Sequence, residues 1–518
     1  MQRTVVLIIL DGWGIGQKDY SNPIHVAQPK FIQYIKENYR YGALQSSGIA
    51  VGLPWEEEGN SEVGHVNIGA GKIIYQHYPK ITLSIRNGSF FQNNVFLQAF
   101  NHVKKQKSTL HLIGTLSESN IDSSEEHLFA LISAAKKNNV SNITFHFISD
   151  GKDSPPKSVK TRLEKVKNLS DDLGIGKIST ISGRYYAMDQ ERHWQRTEKV
   201  YEVLTGGGLV TENLDEFIDD YYKRGLDDRF IEPARVGNGA KCIGNNDAVL
   251  FFNFREDNIR ELASPFCIKD FGEFPIKELK NLYVGTMTHY GNEFDVPVAF
   301  PSDTVDTPLA KVLSEENKLQ LHISETEKYN HVTFFLNGYK EKPFKGEYRI
   351  IIPSQNIPKK DDAPEMMAKE ITRRITDSLS EEGFNFIVAN YANPDIMGHT
   401  GNYDAALQAI KIIDGEMEKI TKACLETNSI LIITSDHGNV ERMLDPYTGR
   451  IQTTHDPNFV PLHLIGSGFE RKKDEAEIDR IEEEAVGILA DVAPTILEIM
   501  EIPKPKDMTG ESLLHRLA

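Results

Sequence analysis

Acidic and histidine side chains recur in this sequence close to the ends of short apolar runs, where metal-dependent chemistry could be built. The three carboxylates and three imidazoles concerned are Asp11, Asp395, Asp436, His399, His437 and His455. A mixed set of carboxylate oxygens and imidazole nitrogens suits Mn²⁺ or Zn²⁺. Taken singly, an aspartate after a strand is often a helix cap, and a lone histidine is often a surface residue. Taken together, the six predict a two-metal site.

A serine in the segment 59–65 is the candidate nucleophile of such a site. Gly-Asn-Ser is also a common turn composition, so the serine alone is weak evidence. Two neighbouring metal ions would lower the pKa of a serine hydroxyl and hold a phosphoryl group in line with it. We therefore predict that Ser61 accepts a phosphoryl group.

The apolar runs that precede these residues are the elements that must position them. The run at 5–10 is continuous and rich in β-branched residues, as in a parallel strand buried on both faces. Similar runs predict strands at 144–149, 248–253, 281–286, 332–336, 386–389 and 429–434, and 460–465 is a further apolar run. Helical patterns lie between many of them, the clearest at 405–425. This alternation predicts the α/β class, with functional residues beyond the carboxyl ends of the strands.

Asp395 and His399 lie four residues apart, behind Pro394. A helix that begins after the proline would place both side chains on one face.

The 518 residues are too many for a single core, and Gly- or Pro-bearing segments at 69–71 and 301–308 divide the chain. We predict a discontinuous metal-binding, phosphatase-like domain of residues 1–75 and 306–518, interrupted by an inserted α/β substrate domain of residues 76–305.

Composition excludes several classes of partner. The formal net charge of -17 argues against binding of nucleic acid or of anionic membranes. Three cysteines without metal-type spacing, and no apolar run of membrane-spanning length, favour a reducing cytoplasm. We expect a cytoplasmic monomer that acts on a small phosphorylated molecule.

Several motifs occur together, and in a fixed order, along nearly the whole chain. They are Leu10-Asp11-Gly12 and the segments 59–65, 183–189, 253–255, 325–329, 331–335, 390–395 and 436–439. With these motifs the chain resembles the cofactor-independent (2,3-bisphosphoglycerate-independent) phosphoglycerate mutases of the alkaline phosphatase superfamily.

The resemblance implies an alkaline-phosphatase-like, doubly wound sheet domain with an inserted transferase domain. One metal would be held by Asp11, Ser61, Asp436 and His437, and the other by Asp395, His399 and His455. The two ions are usually manganese, with zinc, magnesium or cobalt as alternatives. Ser61 would carry the phosphoryl group while 3-phosphoglycerate and 2-phosphoglycerate interconvert, a step of glycolysis and gluconeogenesis. Substrate would be bound by Asp153, Arg184, Arg255 and Lys328.

Four positions of the inserted domain depart from the family pattern. Asp122 stands where a histidine is expected, and Lys152, Gln190 and Asn258 stand where arginines are expected. The substrate pocket therefore shifts by about three charges toward negative, and each lost charged hydrogen bond is worth about 1.5–3 kcal/mol.

Three interpretations stay open because of these departures. The chain could be a mutase in which neighbouring side chains compensate. It could instead be a phosphomutase or phosphatase for a different, less anionic phosphate ester. A catalytically inactive binding homologue is the third, and the intact set of metal and nucleophile positions argues against it.

Overall fold

A computed structural model of the chain describes residues 3–237 and 239–518. The chain divides into two compact units. The first unit comprises Met1–Tyr75 and Asp303–Ala518, and the second comprises Gln76–Ser302. The metal-binding and substrate-binding roles assigned to the two predicted domains remain predictions.

The strands of the described residues form two sheets. Numbered along the chain, they are β1 Val5–Leu10, β2 Arg40–Gln45, β3 Leu110–Leu116, β4 Ile143–Ser149, β5 Lys177–Gly183, β6 Leu209–Thr211, β7 Ala234–Val236, β8 Ala248–Phe251, β9 Tyr283–Thr286, β10 Gln320–Glu325, β11 Glu347–Ile352, β12 Phe386–Tyr391, β13 Ile430–Thr434, β14 Val460–Ile465 and β15 Gly487–Ile488.

Helices separate most of these strands. They are α1 Pro23–Ala27, α2 Lys30–Asn38, α3 Ser61–Ala70, α4 His77–Asn87, α5 Asn94–Gln106, α6 Glu125–Lys137, α7 Val159–Leu173, α8 Arg184–Ala187, α9 Trp194–Leu204, α10 Leu214–Lys223, α11 Arg260–Cys267, α12 Leu309–Glu315, α13 Ala368–Ser380, α14 Asn393–Thr400, α15 Tyr403–Glu426, α16 Glu475–Glu483 and α17 Val492–Ile499.

The sheet of the first unit has the order β11-β10-β12-β1-β13-β14-β2-β15. Its central strand β1 pairs in parallel with β12 and β13, and all six of its residues are buried. Alternate side chains of β1 enter two different cores: Val6, Ile8 and Leu10 pack in one, and Val5, Leu7 and Ile9 in the other. Residues of α13 and α15 complete the first core, and residues of α12 and α17 complete the second. The prediction of a strand buried on both faces is confirmed.

The sheet of the second unit has the order β6-β7-β5-β4-β3-β8-β9. Its central strands β5, β4, β3 and β8 are parallel neighbours, so their carboxyl ends lie at one edge. The helices α5, α6 and α7 contribute to the core on one side, and α9 and α11 contribute to a separate core. Both units are therefore α/β layers, as the sequence predicts.

One predicted strand is wrong. Residues 332–335 of the segment 332–336 lie in a short helical turn of π type, His331–Phe335, and Leu336 follows as its C-cap, so the segment is not in a sheet. The Thr333 hydroxyl donates to the carbonyl of Tyr329, a local contact that belongs to a helix. A short apolar run fits a buried strand and a buried helical turn equally well, so periodicity alone could not separate them.

The other predicted elements used below are present. The helix predicted after Pro394 is α14, the long helix predicted at 405–425 is α15, and 386–389 and 429–434 lie in or around β12 and β13. Among the described residues, no helix is both long enough and apolar enough to cross a membrane.

Candidate metal centre

The candidate metal ligands converge because their strands are neighbours. Asp11 directly follows β1, and Asp436 and His437 follow β13 after Ser435. The strand β12 on the other side of β1 leads into α14, which carries Asp395 and His399. Carboxyl ends of parallel strands meet at one edge of a sheet, so residues distant in sequence come together there.

Ser61 is the first residue of α3, and Asn60 caps this helix by accepting a hydrogen bond from the Val63 amide. The Ser61 hydroxyl donates to Asp11 Oδ1 at 3.1 Å and lies 2.9 Å from His437 Nε2. A helix N-terminus directs free backbone N–H groups and a positive dipole toward bound anions. The serine therefore stands where a phosphoryl group would be favoured.

Gly64 brings α3 against the metal-ligand loop. A Cβ at this position would lie 2.6 Å from the carbonyl oxygen of Asp436. That distance is impossible for a real side chain, so any larger residue would push the helix, and Ser61 with it, away from Asp436. The glycine in the segment 59–65 thus serves a close backbone approach.

Asp395, His399 and His455 form one compact ligand set. The Nε2 atoms of the two histidines are 3.0 Å apart, and they lie 3.2 Å and 3.5 Å from Asp395 Oδ1. Each ring donates its Nδ1 hydrogen to a backbone carbonyl, His399 to Thr453 and His455 to Gly59. In the neutral rings both Nε2 atoms are therefore unprotonated, and their lone pairs converge with a carboxylate oxygen.

The remaining ligands form a second, fully buried group. His437 Nδ1 bonds the Gly438 carbonyl, and its Nε2 faces Asp11 Oδ1 at 3.4 Å. Asp436 Oδ2 is buried and has no hydrogen bond. It lies 3.1 Å from His65 Nδ1, but that nitrogen donates to the Ser61 carbonyl instead.

This donor set fits divalent cations. Three imidazole Nε2 atoms and buried carboxylate oxygens converge here, and these are the donor types that bind a divalent cation once the imidazoles are neutral. An orphaned oxygen on Asp436 adds a further free ligand. The seven residues that the resemblance assigns to metals are thus brought together: Asp11, Ser61, Asp395, His399, Asp436, His437 and His455.

Lys328 enters the same cluster, although the resemblance assigns it to substrate. Its Nζ atom donates to Asp11 Oδ1, Asp395 Oδ2 and Ser61 Oγ, each at 2.7 Å. Burial opposes the charged form of Lys328, but Asp11 and Asp395 outweigh it and raise the pKa. Burial likewise opposes the charge of His437, while Asp436, Asp11 and Asp395 raise its pKa to about 10. The carboxylates hold these neighbours positively charged.

Two supporting residues were not predicted as site residues. The Asn390 side-chain amide, at the end of β12, donates to Asp11 Oδ2 at 2.7 Å and lies 3.1 Å from His65 Nε2. These contacts fix the orientation of Asp11 and the tautomer of His65. Asn390 lies in the motif segment 390–395 and His65 in the segment 59–65. Their presence in motifs that also contain proposed metal ligands could have identified them as site residues.

The other predicted substrate residues lie in the second unit. Arg184 follows β5, is 8% exposed and donates to Asp150, to Asp153 at 2.7 Å and to Asp122 at 3.3 Å. Asp150 follows β4, and the loop after β3 supplies Asp122. One guanidinium thus balances part of the negative charge of three carboxylates at the carboxyl edge of the second sheet.

Side-chain amides complete this cluster. Asn258 Nδ2 donates to Asp122 Oδ1 at 2.5 Å, and Gln190 donates to Asn258. Arg255 instead pairs with Asp257 at 2.9 Å, and both side chains are about half exposed. Lys152, Arg184, Gln190 and Asn258 line one cavity of about 370 Å³ together with Tyr185 and Phe230. The four positions that depart from the family pattern therefore belong to one region of the second unit.

Comparisons with known proteins agree with this geometry. The Metalloenzyme superfamily model matches residues 3–504, so the fold and the site define a metalloenzyme of that superfamily. A 2,3-bisphosphoglycerate-independent phosphoglycerate mutase 1 of Methanosarcina barkeri is 40% identical over 519 residues, which cover 99% of this chain and 98% of that protein. The corresponding mutase of Francisella philomiragia is 39% identical, covering 99% of both chains.

A solved phosphoglycerate mutase of Leishmania mexicana, crystallised at low cobalt concentration, is 26% identical with a TM-score of 0.52. The match covers 99% of this chain and 97% of that one. The chain belongs to the family of 2,3-bisphosphoglycerate-independent phosphoglycerate mutases. The predicted resemblance and the alkaline-phosphatase-like α/β class are confirmed.

Proposed function

We propose that this protein interconverts 3-phosphoglycerate and 2-phosphoglycerate through a phosphoserine at Ser61. The observation that carries the proposal is the environment of the Ser61 hydroxyl. It accepts a hydrogen bond from Lys328 Nζ, donates to Asp11 and lies at a helix N-terminus beside His437. Membership of the mutase family supports the choice of substrate.

Two divalent ions complete the proposed site. Asp11, Ser61, Asp436 and His437 would hold one ion, and Asp395, His399 and His455 would hold the other. We propose manganese, with zinc, magnesium or cobalt as alternatives; the donor set of carboxylates and imidazoles suits each of the transition ions. When bound, the ions would supply charge stabilisation for the transferring phosphoryl group and lower the pKa of the serine hydroxyl.

The chain's own residues direct the transfer. Asp11 accepts the Ser61 hydroxyl hydrogen bond, which turns a lone pair of Oγ away from Asp11. In the first half, Oγ forms a bond to phosphorus as its proton passes to Asp11, the bond from phosphorus to substrate O3 breaks, and the proton passes on to O3. In the second half, glycerate O2 forms a bond to phosphorus as it gives up its proton, the bond to Oγ breaks, and that proton returns to Oγ through Asp11. Lys328 stabilises the negative charge on Oγ in both halves because its ammonium donates directly to that atom.

We assign recognition of the glycerate and phosphate groups to Asp153, Arg184, Arg255 and Lys328. The assignment rests on the family motifs that these residues occupy. Asp122, Lys152, Gln190 and Asn258 would adjust this recognition, since they contact Arg184 or line its cavity.

A second candidate is a phosphomutase or phosphatase for a less anionic phosphate ester. The specific observation in its favour is Arg184, whose guanidinium is already engaged by three carboxylates. A cation paired in this way attracts an anionic ligand less strongly than a free one. A binding homologue without catalysis is the weakest candidate, because all seven proposed metal and nucleophile positions are present.

One assay separates these functions. The protein, loaded with Mn²⁺, is given 3-phosphoglycerate, and both 2-phosphoglycerate (through coupled enolase) and free phosphate are measured. Formation of 2-phosphoglycerate is expected, and Ser61→Ala should remove it. Phosphate release from other esters without isomerisation would establish the second candidate, and no turnover of any ester would leave the binding homologue.

We also propose a cytoplasmic monomer that acts on a small phosphorylated substrate rather than on nucleic acid or membranes. Three free cysteines and the net charge of -17 support this setting. Sedimentation equilibrium would test the monomer.

A further inference from the structure

All three hydrogens of the Lys328 ammonium group donate hydrogen bonds inside the candidate metal centre. Its three hydrogen bonds, each 2.7 Å long, go to Asp11 Oδ1, Asp395 Oδ2 and Ser61 Oγ. The side chain is 6% exposed, so water contributes little to the solvation of its charge. An ammonium group has three hydrogens, and all three are committed to this site.

The carboxylates around Lys328 need a counter-charge. Asp11, Asp395 and Asp436 are at most 3% exposed, and Asp11 and Asp436 are completely buried. Buried carboxylates that lack a compensating cation are strongly destabilising. Lys328 supplies that charge from the protein itself, directly to two of the three.

The two carboxylates that Lys328 contacts belong to different proposed metal sets. In the assignment proposed above, Asp11 is in the set with Asp436 and His437, and Asp395 is in the set with His399 and His455. Asp11 and Asp395 also lie together beside His437 Nε2, so the two sets adjoin. A positive charge bonded to ligand atoms of both sets repels an incoming divalent ion at either one. Lys328 thus stabilises the site without metal and opposes its loading.

We propose that Lys328 is an internal counter-ion that holds the carboxylates together before metal binds and sets the affinity of the site for divalent metals by opposing them. The proposal rests on the metal assignment made above. The proposal concerns the affinity for metal and the stability of the metal-free protein. It adds to the role of Lys328 in stabilising the negative charge on Ser61 Oγ during transfer.

The chain offers a matched control in the same unit. Lys473 is also buried, at 7% exposure, but its Nζ donates to the backbone carbonyls of Tyr39 and Arg471. Lys473→Met removes a buried ammonium of the same chemistry without removing a counter-ion from the metal ligands.

The experiment compares Lys328→Met, Lys328→Arg and Lys473→Met with the wild-type chain. Thermal unfolding is measured after chelation, and Mn²⁺ binding is measured by isothermal titration calorimetry. For Lys328→Met we expect the metal-free melting temperature to fall by about 5–10 °C and the Mn²⁺ dissociation constant to fall at least about tenfold. Lys328→Arg keeps the charge and should retain weak, wild-type-like metal binding.

Lys473→Met should lower the melting temperature without changing Mn²⁺ affinity. Unchanged or weaker Mn²⁺ binding by Lys328→Met would overturn the proposal. If the metal-free variant does not fold, Mn²⁺ added during refolding should restore a cooperative unfolding transition, and failure to restore it would also overturn the proposal. Failure of the wild-type chain to bind Mn²⁺ would instead reject the metal assignment itself, so the two failures are distinguishable.

Discussion

The two units each contain a buried cation surrounded by carboxylates beyond the carboxyl ends of parallel strands. In the first unit Lys328 contacts Asp11 and Asp395, with Asp436 close by. In the second unit Arg184 contacts Asp122, Asp150 and Asp153. One buried basic side chain therefore lies among three aspartates in both places, but in the first unit the same carboxylates also raise the pKa of a second basic group, His437.

The cluster of the second unit is closed by its own hydrogen bonds. Asn258 donates to Asp122, while the Ser117 hydroxyl and the backbone amides of Lys152 and Asp153 donate to Asp150. In the first unit, by contrast, Asp436 Oδ2 has no hydrogen bond, and two imidazole Nε2 atoms face each other. The first cluster therefore has ligand atoms available for an external cation. In the second cluster, hydrogen bonds between Arg184 and the carboxylates must break before Arg184 can bind an anionic ligand.

The largest expected effect is on the nucleophile of the first cluster. Ser61→Ala should lower mutase activity by about 10⁴-fold or more, because no other hydroxyl is proposed to carry the phosphoryl group. Steady-state rates with coupled enolase measure this. Ser429→Ala is the control, since Ser429 is buried in the same unit and bonds Thr427. Full activity in Ser61→Ala would mean that transfer does not pass through this serine.

Metal loading should stabilise only the unit with the unsatisfied cluster. At a free Mn²⁺ concentration 100 times the dissociation constant, one site contributes about 2.7 kcal/mol. Hydrogen exchange by mass spectrometry, with and without chelator, should show increased protection in β1, β12 and β13. Peptides of β3 and β4 should be unchanged, and equal protection in both sheets would contradict the contrast drawn between the clusters.

Opening the closed cluster should improve binding of an anionic substrate. Asp122→Asn keeps the acceptor for Asn258 but removes one negative charge beside Arg184. We expect KM for 3-phosphoglycerate to fall about tenfold, the effect of one charged hydrogen bond, with a smaller change in kcat. Asp219→Asn, at a partly exposed pair with Lys160, is the control. A higher KM in Asp122→Asn would show that the Asp122 carboxylate itself recognises the substrate.

The two units also differ in how their surroundings shift the pKa of a buried histidine. Carboxylates raise the pKa of His437 in the first unit, whereas burial lowers the pKa of His127 in the second unit to about 3. Below a pH of about 6.5 the unfolded chain protonates His127 and the folded chain does not. The stability that neutral His127 contributes is therefore lost as the pH falls, by about 1 kcal/mol between pH 6.5 and pH 5.5.

His127→Phe should reduce this acid sensitivity of the second unit. Urea unfolding can be followed through Trp194, the one tryptophan of residues 76–302, in a background where Trp13 and Trp55 are phenylalanine. The dependence of the unfolding free energy on pH should become shallower, by an amount that approaches about 1.4 kcal/mol per pH unit below pH 5.5. An unchanged slope would mean that His127 is charged in the folded protein.

The chemistry of the first cluster was predictable because most of its ligands lie close to the ends of apolar runs. Asp11 after β1 and Asp436 after β13 needed only the rule that parallel strands present their carboxyl ends at one edge. The role of Lys328 was not predictable in this way. Its three partners come from separate segments, so no spacing in the sequence signals that an ammonium lies among the metal ligands.

The second cluster was visible only as departures from a family pattern. Asp122, Gln190 and Asn258 are far apart in the sequence, and their hydrogen-bond network exists only once the strands of the second sheet are assembled. The error at 332–336 has a simpler cause. A short apolar run does not distinguish a buried strand from a buried helical turn. In the folded chain the segment His331–Phe335 forms a helical turn.

The pairing of β1 has a consequence for synthesis of the chain. Its six apolar residues leave the ribosome early, but its partners β12 and β13 begin at Phe386 and Ile430. At usual rates of translation the strand waits on the order of 20–80 s for the first of them, while all residues of the second unit are completed in between. During that interval the wholly apolar central strand of the future sheet is unpaired in the nascent chain, which makes it the natural target for a chaperone.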